Sequence, residues 1–388
     1  MRALALALLF AILSTPSARL QSSRDPVTVE QVRAAMDKLG SLEFPVRTGA
    51  ARTVRRAEAP IAVPALLAAV ERHGDEYVRF RALVILSGFN DPRTAAVMRK
   101  ALAERNDRMR TVAYAYFEHH PDPSVAPALL QALDREESEF VRPALTRALA
   151  AYTKDSKVAA AMSALVMKGH DQFRGTVIEA LGDYRVAAAL GPITTVAKLE
   201  GPLQDDAVLA IGKIGDKRGL EALAALQRTA PRDVQPTIAA GICLLGVNCA
   251  SHQGYLVKTL EFAIANPGYQ PLLRAAAGGL GALATAGNQE AAAVLFERGA
   301  PTRDPERAAV ALALGTVALR NTKLTLAVLE KQPDLGAAVE LLREAFDMLE
   351  EDFEEERFFV AVRRAYWQAP GGSPVRRIAE TLIQTLEF

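Results

Sequence analysis

The chain has 388 residues, half of them apolar, 6% aromatic and 23% charged, with 46 basic and 45 acidic side chains. So even a balance excludes bulk electrostatic attraction to nucleic acid. The length is too great for one compact core but ordinary for a stacked repeat array, and Ala-rich, aromatic-poor composition suits close helix-on-helix packing.

Residues 1–18, MRALALALLFAILSTPSA, hold one Arg, an eleven-residue apolar run from Ala3 to Leu13, then small residues and a Pro. A run of that length is well short of the ~20 residues that span a bilayer, so it reads as a cleaved secretory signal. Cleavage after Ser17 and after Ala18 fit equally well, and no other stretch is apolar and long enough to cross a membrane. The expectation is a periplasmic or secreted protein. Residues 19–43 read as an N-terminal capping segment, with one helix from Thr28 to Leu39 introduced by Asp25-Pro26.

From residue 44 to 334 the chain repeats itself. The stretch DDAVLAIGKIGDKRGLEALAAL, Asp205 to Leu226, contains two helical apolar stripes separated by Gly215-Asp216. In register with Gln204 stand Arg47, Arg79, Arg110, Arg142, Arg174, Gln235, Arg274 and Arg307, at spacings of 30 to 33 residues with one of 39. Three residues after each mark the residue is apolar: Ala50, Ala82, Ala113, Leu145, Val177, Ala207, Ile238, Ala277 and Val310. One face of this helix is therefore predicted to be buried in every copy, and Gly182, Gly212 and Gly315 share a later position where a missing Cβ admits a neighbour or ends the helix. Asn90-Asp91-Pro92, Pro121-Asp122-Pro123 and similar turns separate the helices. The 39-residue interval carries its extra length at Gly246 to Gln253. Residues 335–388 leave the register and read as C-terminal capping helices, with an acidic run from Glu350 to Glu356 expected to be a solvated helix face.

This pattern resembles the HEAT repeat, in particular the bacterial form related to phycobilisome-lyase repeats. The resemblance rests on the Val-Arg openings Val46-Arg47, Val78-Arg79 and Val141-Arg142, on AIGKIGDKRGLEAL from Ala210 to Leu223, and on VPALLAAV and APALLQAL at Val63 and Ala126. It implies an all-α fold: a right-handed α-α superhelix, or α-solenoid, of about nine hairpins with terminal caps. At about 10 Å per pair the array would form an arc on the order of 90 Å. The family's core positions specify architecture rather than activity.

Candidate chemistry is sparse. Cys243 and Cys249 lie six residues apart; an oxidising compartment favours a disulfide, whereas a continuous helix through both would hold them too far apart. Free thiols, and a metal site completed by His252, are the other readings. The glycines of Gly212 to Gly219 imitate a phosphate loop but follow no strand. No nucleophile has an assignable base, and the repeated His-Glu pairs by which deoxyhypusine hydroxylase, a HEAT-like enzyme, holds its metals do not occur. Neither a catalytic residue nor a cofactor or metal ligand is therefore assigned.

Charge is the remaining signal. Residues 19–120 carry 17 basic against 12 acidic side chains, and residues 335–388 carry 6 against 11, so the two ends are expected to differ in potential. Arg79, Arg81, Arg108, Arg110, Arg142, Arg147 and Arg174 fall on the helix that, by the resemblance, lines the inner surface. They are either a partner-binding stripe or a ladder bonding turn carbonyls and carboxylates between repeats. The expected function is a non-catalytic, exported scaffold that binds a protein or peptide on its concave face. The alternatives are binding of an anionic envelope polymer or lipid headgroup by the arginine-rich half, and a lyase-like or metal-dependent enzyme. Nucleic acid is not an expected partner, and oligomeric state is not legible in the sequence.

Overall fold

A computed structural model describes residues 26–388. The expected signal segment lies outside these residues. Among the described residues all regular structure is helical, and no helix is long and apolar enough to cross a membrane on its own.

The helices alternate between an outer and an inner row. The first repeats comprise α1 (Val29–Lys38), α2 (Phe44–Arg56), α3 (Ala59–Arg72), α4 (Glu76–Ser87), α5 (Thr94–Ala101) and α6 (Asp107–His119). The middle comprises α7 (Ala126–Leu133), α8 (Arg142–Ala150), α9 (Ser156–Leu165), α10 (Asp171–Asp183), α11 (Leu190–Ala197), α12 (Gln204–Ile214), α13 (Gly219–Thr229) and α14 (Gln235–Leu244). There follow α15 (Cys249–Ala265), α16 (Gln270–Thr285), α17 (Gln289–Gly299), α18 (Glu306–Arg320), α19 (Thr322–Leu329) and α20 (Leu335–Leu349), then α21 (Asp352–Gln368) and α22 (Pro374–Thr385). Even-numbered helices from α2 to α20 pack on one another in sequence as the inner row, so an α-α superhelix results.

Local chemistry accounts for the helix ends. Thr28 caps α1 with a reciprocal bond to Gln31, and Asp75, Asn106, Asp155, Asn288 and Asp334 each accept a backbone N–H at the start of a helix. Gly215, with φ of 76°, ends α12 in the left-handed conformation.

The nine apolar residues of the repeat register are all buried. Burial thus recurs at one point of every inner helix from α2 to α18, which is why the period shows so clearly in sequence. Where rows approach most closely the side chain disappears: a Cβ on Gly182 would stand 2.8 Å from the Cα of Ala210, and one on Gly212 would stand 2.6 Å from the Cα of Gly241. The register residue has a second function. Arg79 donates to the Val70 carbonyl, Arg110 to Glu104 and Arg105, Arg142 to Glu136, Arg174 to Val166 and Arg307 to Gly299 and Ala300. Gln204 does the same to Ala197, and Gln235 to Gln227 and Ala230. These carbonyls lie at or just past the end of the preceding outer helix and have no partner within it. In these seven repeats one side chain ties the outer helix to the inner helix that follows, whereas Arg274, the register residue of α16, is exposed.

The core falls into two clusters that meet at α14, one built from residues 27–242 and the other from 240–388. Phe353 alone departs from this division: it belongs to α21 yet is buried in the N-terminal cluster. The superhelix therefore does not form the open arc expected from the sequence. Its last helices return to the first, and α21 packs against both α4 and α6.

Candidate functional site

The returning segment is the acidic run Glu350 to Glu356. It is not the solvated face expected from its composition, because Glu354 and Glu356 are buried. It sits where the inner helices α2, α4 and α6 end. Arg55, in the last turn of α2, donates its Nε–H to Glu356 Oε2 at 2.7 Å, and Arg363 reaches the other oxygen at 3.2 Å. Arg81 of α4 donates to Asp352 at 2.5 Å. His119, the last residue of α6, stands with Nε2 at 2.6 Å from Glu354 Oε1 and stacks on Phe353. Arg320 of α18 lies 3.2 Å from Glu354 and 3.1 Å from Glu351. Gly88, the cap of α4, leaves the space this requires: a Cβ there would fall 2.7 Å from Glu356 Oε1 and 3.0 Å from Val360.

A second network continues from this contact along the inner rim. Arg147 pairs with Glu118 at 3.0 Å and Asp183 at 2.8 Å, Tyr184 donates to Glu118, and Lys213 pairs with Asp183. The predicted stripe of seven arginines is thus divided. Arg79, Arg110, Arg142 and Arg174 belong to the inter-repeat ladder, whereas Arg81, Arg108 and Arg147 face the inside. Of these three, Arg81 and Arg147 are neutralised by carboxylates of the same chain. Arg108 is exposed, lies over the rings of Tyr77 and Phe80, and makes no ion pair among the described residues.

The electrostatics follow from enclosure. Burial works to raise the Glu354 carboxyl, but the His119 hydrogen bond and the charges of Arg320, His119 and Arg357 outweigh it and hold it at about 2. Glu355 shows the opposite balance. Burial and then the neighbouring Asp352 push it up to about 8, and Arg81 and Arg55 offset this only in part. Among the described residues its side chain accepts no hydrogen bond and has no ion-pair partner. Burial also raises Asp352 and Glu351 despite their arginine partners.

Two cavities flank the turn between α20 and α21. One, of about 630 Å³, is lined by α2, α4, α6, α20, α21 and residues 385–388, with Arg55, Arg108, Arg343 and Glu355 among its walls. The other, of about 710 Å³, has Phe80, Val112, Ala115, Ala144 and Phe353 as apolar walls and Glu118, Arg147 and Arg320 as polar ones. Phe140 stands at its edge with 90% of its surface exposed.

Glu118, His119 and Glu354 bring three potential metal ligands within 4.8 Å. They fit a cation poorly, since Arg147, Arg320 and Arg357 already place three positive charges on these carboxylates. The other metal reading also fails on geometry: Cys243 and Cys249 are joined as a disulfide with Cα atoms 4.2 Å apart, so neither sulfur is a thiolate ligand. The bond is feasible because α14 ends at Leu244 and α15 begins at Cys249, so no continuous helix runs through both.

Sequence reasoning missed Arg55, His119, Arg320, Asp352, Phe353, Glu354 and Glu356, the residues that make the contact. The surplus of five basic residues at the front and the deficit of five at the back were its only trace.

An inner and an outer row of helices, with an apolar register position buried in every repeat, define a helical-repeat architecture. Residues 32–118 match the family model of HEAT repeats, so this part of the chain carries HEAT repeats. No curated protein matches the sequence. Among solved structures, the chain is similar to YibA of Escherichia coli with a TM-score of 0.43 and 16% identity, over 57% of this chain and 83% of that one. It is also similar to the complex of CpcE and CpcF of phycocyanin lyase from Nostoc sp. PCC7120, with a TM-score of 0.26 and 17% identity, over 87% of this chain and 100% of that one.

Proposed function

We propose that this protein is an exported, non-catalytic scaffold that receives a protein or peptide partner on its inner surface. The observation that carries the reading is the 710 Å³ cavity, whose apolar walls lead to the exposed Phe140. An aromatic side chain standing free at the mouth of a part-apolar cavity is the kind of anchor that protein interfaces use. The alternative, an anionic polymer or headgroup held by arginines, is weakened because Arg81 and Arg147 are already satisfied within the chain. The export reading is supported by the N-terminal sequence, and the disulfide is consistent with an oxidising compartment.

Photo-crosslinking in intact cells tests the proposal. A benzophenone amino acid in place of Phe140 is expected to capture one protein reproducibly, while the same group at the exposed outer residue Leu199 captures none. Capture of polymer or lipid alone, or equal capture from both positions, would reject it. Export is read independently from the N-terminal sequence of the envelope-fraction protein, which is expected to begin at Ala18 or Arg19.

A further inference from the structure

The contact between α21 and the first repeats differs in kind from every other helix contact in the molecule. Repeats stack through apolar residues at each step, whereas across this contact Phe353 alone of the buried α21 residues joins the N-terminal core, Val360 approaches Gly88, Arg55 lies over the Phe359 ring, and the remaining partners are ionic. Ion pairs taken out of water gain little net free energy, because desolvation offsets their attraction. The placement adds to the cost: Glu356 stands against the C-terminal end of α4, where the helix dipole disfavours a negative charge. Glu355 is carried into the same space with no ion-pair partner among the described residues. The contact therefore matches in charge and shape but is weakly held, as befits a ligand that must come off.

We propose that the face formed by Arg55, Arg81, Gly88 and His119 is a docking surface for an acidic, aromatic-bearing helix of a partner protein, and that α21 occupies it in cis until that partner displaces it. The occupant is specified by what α21 presents: Asp352 to Arg81, Phe353 against His119 and Tyr116, Glu354 to His119, and Glu356 to Arg55. Gly88 requires that the incoming helix lie close to α4. A partner with basic or purely apolar segments lacks the groups this surface needs. The inference rests on the reading of the protein as a partner-binding scaffold and adds the partner's chemistry.

The test uses the full chain and a fluorescent peptide with the sequence of residues 350–364. Wild-type protein is expected to bind it weakly, because α21 competes at the effective concentration of a tethered segment. The variant Asp352→Asn with Phe353→Ala is expected to bind at least tenfold more tightly. A peptide with Gln at the positions of Glu354 and Glu356 is expected to lose that gain. Adding Gly88→Val to the same chain blocks the receptor face and is expected to return binding to the wild-type level. Equal affinity of wild type and variant, or equal affinity for the acidic and Gln peptides, overturns the proposal. If the double variant loses its helical circular dichroism, Asp352→Asn alone is read by the same criteria with a smaller expected gain. A protein captured through Phe140 that shows no acidic helix would defeat this inference and leave the scaffold reading standing.

Discussion

Ala113 and Ala207 show how tightly single residues are held: both are fully buried, in the inner helices α6 and α12. Replacing either with Asp is expected to cost more than about 3 kcal/mol of unfolding free energy; a loss below about 0.5 kcal/mol in chemical denaturation would show the register to be wrong. These positions were legible in the sequence because burial recurs at one point of every repeat. Glu355 was not, since its environment is made by Asp352, Arg81 and Arg55 from three different elements. Its carboxyl ionises near 4.5 when free and near 8 in the fold. The ionised form is thus the one the fold disfavours, so stability falls as pH rises from about 5 to 8 and is flat on either side. Glu355→Gln is expected to stabilise the protein by about 1–2 kcal/mol at pH 8.5 and to leave it unchanged at pH 4. No difference at the higher pH would mean that the carboxyl is freely solvated.

At the scale of elements, the 39-residue interval yields α15, a helix of 17 residues whose first residue is Cys249. Asn248 enters it with φ of 46°, and the disulfide to Cys243 closes the turn from α14. A loop of this size is worth about 2 kcal/mol by the chain-entropy account. Replacing both cysteines with Ser is expected to lower stability by about that amount and to leave the helical circular dichroism unchanged; no loss would assign the pair no structural weight. The insertion was legible from the broken period. Spacing alone leaves the bond open, because its feasibility depends on where α14 stops. Composition misleads on α21 for a related reason. An acidic run of this kind looks solvated by composition, and burial of Glu354 and Glu356 is supplied by arginines and a histidine more than two hundred residues away.

For the whole molecule, periodicity fixes the stacking of each repeat on the next but not the curvature accumulated over ten inner helices. The closure depends on that sum, since Arg55 and Glu356 are 301 residues apart and meet only if the superhelix returns on itself. Charge carried the one sequence signal of it, in the equal and opposite imbalance of the two ends. Under the proposal, closure bears on function because α21 occupies Arg55 and Arg81 until another acidic helix takes them. Small-angle X-ray scattering of the wild-type chain beside the Asp352→Asn, Phe353→Ala variant measures this most directly. The account predicts a wild-type profile matching the closed superhelix and a larger radius of gyration for the variant at unchanged helicity. A wild-type profile of an open arc, or identical profiles for the two chains, would contradict it.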